Sequence, residues 1–377
     1  MAHIGRISLL AFAAVAIVTP FASAGQFKKA AYSRAGVQPS QVVTGDFNND
    51  GNTDLAFADF DQLVVLLGNG NGTFQKPLII REPNPVALAA GDFNGDGNLD
   101  LAVIESGGSG SGALAIFLGE GNGKFHLNAT YPIGAHAGVV TVADFNGDGK
   151  LDVAAGDEGD GSTGVVRIFL GTGKGTFRKP TIYRVGAWLG LMAAGDLNGD
   201  HRPDLAVTLT GSGSVAVFLN DGTGHFQKPV NYRAGDCCGP VDVKIADLRN
   251  NGDQDLVIAN DNAGMVVLLN KGDGTFGKPT IYTPSFQNWQ PPEACTVADF
   301  NLDGKLDVAC APAGNDAYFF YGNGKGQFGS GIEIKSAIDH QGGFSIASGD
   351  FITGDQAPDL AIPIELKGKV AIMINTK

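Results

Sequence analysis

A segment rich in Asp, Asn and Gly recurs seven times along the chain, and internal repetition of this kind constrains a fold more tightly than composition does. It reads DFNNDGNTDL (46–55), DFNGDGNLDL (92–101), DFNGDGKLDV (144–153), DLNGDHRPDL (196–205), DLRNNGDQDL (247–256), DFNLDGKLDV (299–308) and DFITGDQAPDL (350–360), with leading Asp residues 46 to 52 residues apart. A second segment follows each of the first six: LGNGNGTF (67–74), LGEGNGKF (118–125), LGTGKGTF (170–177), LNDGTGHF (219–226), LNKGDGTF (269–276) and YGNGKGQF (321–328). Around them the apolar residues come in short runs with period two. In the second unit PVALAAGDF, LDLAVIES, GALAIFLG and KFHLNATY are four such runs, separated by turn residues as hairpin-linked strands are. Four antiparallel strands repeated seven times make the blades of a radial array. A linear stack would need a polar cap at each end, and neither end shows one. The expectation is an all-β, seven-bladed β-propeller over residues 25–377.

The seventh unit supplies only three strands and ends without the second segment. Residues 25–36 (GQFKKAAYSRAG) align with 175–186 (GTFRKPTIYRVG). The N-terminal strand is therefore expected to pair with GKVAIMIN (368–375) and complete the last blade. Residues 1–24 stand apart. Arg6, the apolar run 7–18, Pro20 and Ala22-Ser23-Ala24 read as a signal peptide cleaved near Ala24. The apolar run is shorter than the ~20 residues a membrane span needs. The mature protein is thus expected to be secreted, extracellular or periplasmic, with no membrane span.

Acidic residues outnumber basic ones 39 to 26, for a net charge of −13. No basic face is available for nucleic acid. Within the acidic total, 32 are Asp and 7 Glu, a balance that suits turns and hard-cation loops rather than helix surfaces. Positions 1, 3, 5 and 9 of the repeated loop carry oxygen side chains, and the carbonyl at position 7 joins them. The sets are Asp46, Asn48, Asp50, Asn52 and Asp54; Asp92, Asn94, Asp96, Asn98 and Asp100; Asp144, Asn146, Asp148, Lys150 and Asp152; Asp196, Asn198, Asp200, Arg202 and Asp204; and Asp299, Asn301, Asp303, Lys305 and Asp307. Three carboxylates, an amide oxygen and a carbonyl suit Ca2+, which takes six to eight oxygens. The other reading is an Asp/Asn hairpin turn without metal. About five structural calcium ions are expected, the fourth more weakly held because His201 stands where the others have Gly. The fifth loop has Arg249 and Asn251 at positions 3 and 5, so its guanidinium is expected to engage Asp247 or Asp255 in place of a metal. The seventh loop, one residue longer, is expected to have lost the site.

The pairing of a D-x-N-x-D-G-x-x-D loop with an LGNGxGxF turn resembles the FG-GAP (VCBS-type) repeat. That repeat builds the seven-bladed head of integrin alpha chains, some fungal lectins and many bacterial secreted proteins. The resemblance spans residues 25–377. It implies a propeller that binds glycans or extracellular proteins, with some family members acting as enzymes.

No HExxH, GxSxG, phosphate loop or dinucleotide fingerprint is present. The six His residues fall at different phases of the repeat. Glu105, Glu158 and Glu365 end second strands and offer the carboxylates that a polysaccharide lyase or hydrolase would need, although nothing in the sequence places them together. The leading expectation is a monomeric binding or adhesion module, with that enzyme as the alternative. Loops other than the two repeated segments gather at the opposite end of the blades and vary most. Trp188, Trp289, Phe286 and His340 fall there and are the candidate ligand-binding residues. Four Cys residues leave several pairings open: Cys295 with Cys310, Cys237 with Cys238, or a cross-blade bridge to Cys295. Tyr32, Tyr131, Tyr183, Tyr232 and Tyr282 read as one recurring packing position.

Overall fold

A computed structural model describes residues 27–28, 30–107, 111–158, 163–186, 188–235, 238–312, 317–334 and 345–377. The leader (1–24), Cys237 and His340 lie outside the described residues. Every described strand falls into one of seven four-stranded antiparallel sheets. Blade one runs outward as Pro39–Gly45, Asp54–Asp59, Gln62–Leu66 and Leu78–Arg81. The innermost strands of all seven blades meet around one axis. A cavity of about 420 Å³ on that axis is lined by Gln41, Leu88, Val140, Leu191, Lys244, Thr296 and Ser348, one residue from each blade among others. The expected seven-bladed propeller is the fold.

The second strand of each blade explains why the ring is stable. Asp54–Asp59, Asp152–Asp157, Asp204–Leu209 and Asp255–Asn260 are buried at every position. A strand covered on both faces reads as a near-continuous small apolar run instead of an alternating one. Each apolar cluster joins adjacent blades: Phe47, Ala56, Leu63 and Val65 of blade one pack with Leu88, Leu101, Val103 and Phe117 of blade two. The core is therefore laid down between blades.

Closure follows the expected route. Ala31–Arg34 is the outer strand of the last blade, with Tyr32 opposite Ala371 and Arg34 opposite Lys369. Phe27 bridges to Asn375 and stacks on Phe319 at 4.8 Å between ring centroids. Cys295 and Cys310 lie directly opposite on neighbouring strands of blade six and are disulfide-bonded, with Cα atoms 4.1 Å apart. Of the pairings the sequence left open, this one is formed.

Each outer strand shows one large apolar residue to solvent: Tyr32, Ile79, Leu127, Ile182, Val230, Ile281 and Ile332 are 37–57% exposed. Four of these strands end in Arg, at positions 34, 81, 184 and 233. Among the described residues no helix is long and apolar enough to cross a membrane.

Candidate metal loops and the opposite loop face

The acidic loops join the first and second strands of each blade, and their last carboxylate is a structural clasp. Asp54 is fully buried, and its two oxygens accept the Phe47 and Gly68 N–H groups at 2.8 and 2.7 Å. Asp100, Asp152, Asp204 and Asp359 repeat the pair of bonds on Phe93 and Gly119, Phe145 and Gly171, Leu197 and Asn220, and Phe351 and Asn375. In the first four blades one side chain thus fastens the acidic loop to the second repeated segment of its own blade, and Asp359 does the same to Asn375 just beyond the last strand. Burial pushes Asp54, Asp152, Asp204 and Asp359 up to about 6, against the lowering effect of the two N–H donors.

The first carboxylate folds back over the loop. Asp46 accepts the Asp50 and Gly51 N–H groups at 3.1 and 2.8 Å, and Asp92, Asp144, Asp196 and Asp299 do the same in theirs. Asn48, Asn94 and Asn198 each donate to the carboxylate two residues on, at 2.9 Å. At position 7, Asn52 and Asn98 donate their backbone N–H to Asp50 and Asp96. Lys150, Arg202 and Lys305 pair their side chains with Asp148, Asp200 and Asp303. Asn146 instead leans toward Asp152 at 3.4 Å. Among the described residues no three His, Cys, Asp or Glu side chains converge as a metal cluster.

The sixth loop differs. Asn301 and Asp307 are 3% and 0% exposed, and Asn301 Oδ1 and Asp307 Oδ2 have no hydrogen-bond donor among the described residues. Burial, reinforced by Asp303 and Asp299, drives Asp307 up to about 7. Two buried oxygens without donors, in an all-oxygen loop, fit a hard cation; Asp350 Oδ1 and Asn375 Oδ1 of the seventh blade also lack donors among the described residues, but there no amide or carboxylate stands at position 3. Position 6 requires positive φ throughout: 82° at Gly51, 84° at Gly97, 79° at Gly149 and 63° at His201. A side chain pays for that conformation, so the fourth loop carries strain where its relatives have none. In the seventh loop Asp359 keeps its clasp, but Ile352 stands at position 3.

In the fifth loop Arg249 points inward. Its Nε and Nη2 meet the two Asp255 oxygens at 3.1 and 2.9 Å, and Nη2 also donates to the Asn270 carbonyl at 2.7 Å. Asp253 at position 7 adds a carboxylate 3.5 Å away, a residue the sequence reading passed over because that position elsewhere offers only its carbonyl.

The two repeated segments also meet across blades, which spacing alone does not reveal. Gly123, Gly175 and Gly224 donate their N–H groups to the carbonyls of Phe47, Phe93 and Phe145 in the preceding blade, and Gly72 does so to Phe351 across the closure. The last Phe of four of the six turns stands edge-on to the same Phe, with centroids 5.4–5.7 Å apart for Phe47–Phe125, Phe93–Phe177, Phe145–Phe226 and Phe351–Phe74, whereas Leu197 and Leu248 take that place opposite Phe276 and Phe328. The recurring Tyr belongs to this joint: Tyr131 and Tyr183 hydroxyls accept the Phe177 and Phe226 N–H groups at 2.7 and 2.9 Å. Tyr32 does not. It sits one residue out of phase, where Ile182 lies in its blade, and is 38% exposed.

At the opposite end the loops diverge. Trp188, before the inner strand of blade four, is 58% exposed at φ 61°. Its carbonyl accepts the Thr210 N–H at 2.8 Å, which latches the loop to the next strand connection. Trp289 precedes blade six and is partly exposed; Phe286 packs edge-on to Tyr318 at 6.2 Å. Two blade steps separate the Trp residues, and no ring contact joins them among the described residues. Glu105 does have an acidic neighbour, which the sequence did not reveal. Glu82, 6% exposed, is pushed up to about 8 by burial and by a hydrogen bond with Glu105. Inside the channel, Lys244 pairs with buried Asp242 at 2.7 Å.

Comparison with known proteins agrees with this architecture. The FG-GAP-like repeat matches six overlapping spans, residues 46–103, 92–155, 144–207, 196–258, 247–310 and 299–362. No curated protein sequence matches the chain. A solved Agrocybe aegerita lectin, described as specifically recognising non-reducing terminal N-acetylglucosamine, is similar over 82% of each chain at 22% identity with a TM-score of 0.58. BBS1N, solved in complex with ARL6DN, is similar over 94% of this chain and 98% of its own at 13% identity with a TM-score of 0.62. Identities this low speak for shared fold alone, whereas the repeat matches run through most of the sequence: the chain belongs to the FG-GAP-like repeat family.

Proposed function

We propose that this protein is an exported, calcium-braced propeller that binds glycan on the loop face opposite its acidic loops. The observation that carries this reading is Trp188. An indole held 58% exposed on a latched backbone at positive φ is a rigid apolar plate of the kind that stacks on the C–H face of a sugar ring. Strain of this sort is kept where the surroundings over-determine it, commonly at ligand sites. The Agrocybe aegerita lectin, described as recognising a terminal sugar, supports the choice of ligand class.

Calcium enters through the loops of blades one, two, three, four and six. Bound there, the ion would supply the positive charge that clustered carboxylates need. Asp307 and Asn301, with their unpartnered buried oxygens, are the strongest support. The Cys295–Cys310 bridge supports export, because such bonds persist in oxidising compartments.

The test is a glycan array in calcium with native protein and Trp188→Ala. Native protein should bind a defined set of terminal sugars and the variant should lose them. Binding that survives the substitution, or no binding by native protein, rejects the reading. The Glu82–Glu105 pair favours a second reading, a polysaccharide-cleaving enzyme. Product release from polysaccharides that Glu105→Gln abolishes would put it first.

A further inference from the structure

We infer that the fifth loop is not a metal site and that the Arg249 guanidinium is a built-in replacement for the ion, so that this loop stays closed when calcium is withdrawn. The inference rests on the calcium reading of the other loops and concerns the one that departs from them. Arg249 occupies position 3, where Asn48, Asn94, Asn146, Asn198 and Asn301 stand in the loops assigned to calcium. It enters by the same route as its relatives. The turn glycine of the following blade faces the stem of Asn146, Asn198 and Arg249 alike: a Cβ added to Gly224, Gly274 or Gly326 would lie 3.6, 3.4 or 3.4 Å from it.

From that shared entry the longer side chain reaches the interior. The fork engages both oxygens of fully buried Asp255, and a third N–H reaches the Asn270 carbonyl of the second segment. Arg is suited to this because its planar donors match a carboxylate bidentately and it keeps its charge when covered. The guanidinium thereby ties together the clasp carboxylate and the turn it fastens. A dication placed beside it would face like charge at contact distance.

The rest of the loop has adjusted. Asn251 replaces the central Asp, removing a carboxylate ligand, while Asp253 brings a carboxylate 3.5 Å from the guanidinium instead. The backbone keeps the common path: Asp247 accepts the Asn251 and Gly252 N–H groups at 3.1 and 2.7 Å, as Asp46 accepts those of Asp50 and Gly51. Lys150, Arg202 and Lys305 do not do the same job. They sit at position 7 and pair outward with the position-5 carboxylates, their side chains 40–45% exposed against 23% for Arg249.

Hydrogen exchange on the full chain, in calcium and then in chelator, tests this loop by loop. With calcium near ten times its dissociation constant, loops one, two, three and six should exchange about tenfold faster once it is removed, and residues 247–255 should not change. Arg249→Asn should speed exchange of the fifth loop in chelator. Arg249→Asn with Asn251→Asp should make that loop calcium-responsive and add one ion to the titrated count. If native loop five responds to calcium with the others, or if Arg249→Asn leaves its exchange unaltered, the inference is overturned. A native protein in which no loop responds overturns the calcium reading itself, and that pattern is distinct from the first. Should the variants fail to fold, the native comparison still decides.

Discussion

The two ends of this propeller treat their loops differently. At one end most blades repeat the same joint: a buried Asp holding two N–H groups, and at four of the blade seams a turn glycine bonded to the preceding blade beside a pair of edge-on Phe rings. At the other end the connections share one backbone latch, such as Thr210 N–H to the Trp188 carbonyl, and little else. Asp59 takes the Val37 N–H in one blade, Arg167 pairs with Asp157 in another, and Glu82 meets Glu105 in a third. The repeated end holds the blades together, so it tolerates little change. The other end inherits that rigidity and is free to differ, which is the usual placement of binding loops on a stiff scaffold.

The comparison breaks first if the scaffold end is not what holds the ring. Deleting residues 25–36 removes the strand opposite Lys369–Met373 and the Phe27 stack. It should consume most of the roughly 5–15 kcal/mol by which a domain is stable; a truncated chain that melts like the native one would refute closure. Phe145→Ala, which empties a fully buried joint against Phe226, should cost about 3–5 kcal/mol in denaturant unfolding. A cost near zero would mean that the blades do not rely on these rings.

Chelation should cost about 1.4 kcal/mol per filled loop at tenfold excess calcium over its dissociation constant, and pH sharpens the point. Asp54, Asp152, Asp204, Asp307 and Asp359 have folded values above the ordinary carboxylate range. The folded chain therefore binds protons that the unfolded chain does not, and without metal its stability should rise as pH falls from 7 toward 5. With calcium the trend should reverse, because protons compete with the ion. Melting curves at two pH values, with and without chelator, check both signs. The smallest effect belongs to the variable end: Trp188→Ala should change stability by less than about 0.5 kcal/mol while abolishing glycan binding. A large destabilisation would make Trp188 a packing residue.

Blade number, strand order and closure were legible because each rests on a pattern within one unit or a simple alignment between units. So was the inward course of Arg249, since a cation at position 3 has only carboxylates to meet. What escaped depends on the angle between blades. Phe47 and Phe125 are recognisable as recurring residues, yet only the ring brings one blade's turn over its neighbour's loop. Glu82 and Glu105 lie in different units at different phases, so no periodicity joins them. Tyr32 shows the opposite failure: a one-residue offset in an apparent repeat sends a side chain to the other face of its strand.

Closing the ring leaves no gap between blades, but it leaves seven outward strand edges with unpaired backbone groups. Six of these outer strands are four residues or shorter with one exposed apolar side chain, and four of those end in Arg. Short strands and edge charges discourage edge-to-edge pairing between molecules. Phe125–Pro132 has neither protection, being eight residues long with exposed Leu127 and no terminal Arg. That outer edge is where self-association at high concentration should begin, and Leu127→Lys should raise the concentration at which light scattering first detects it.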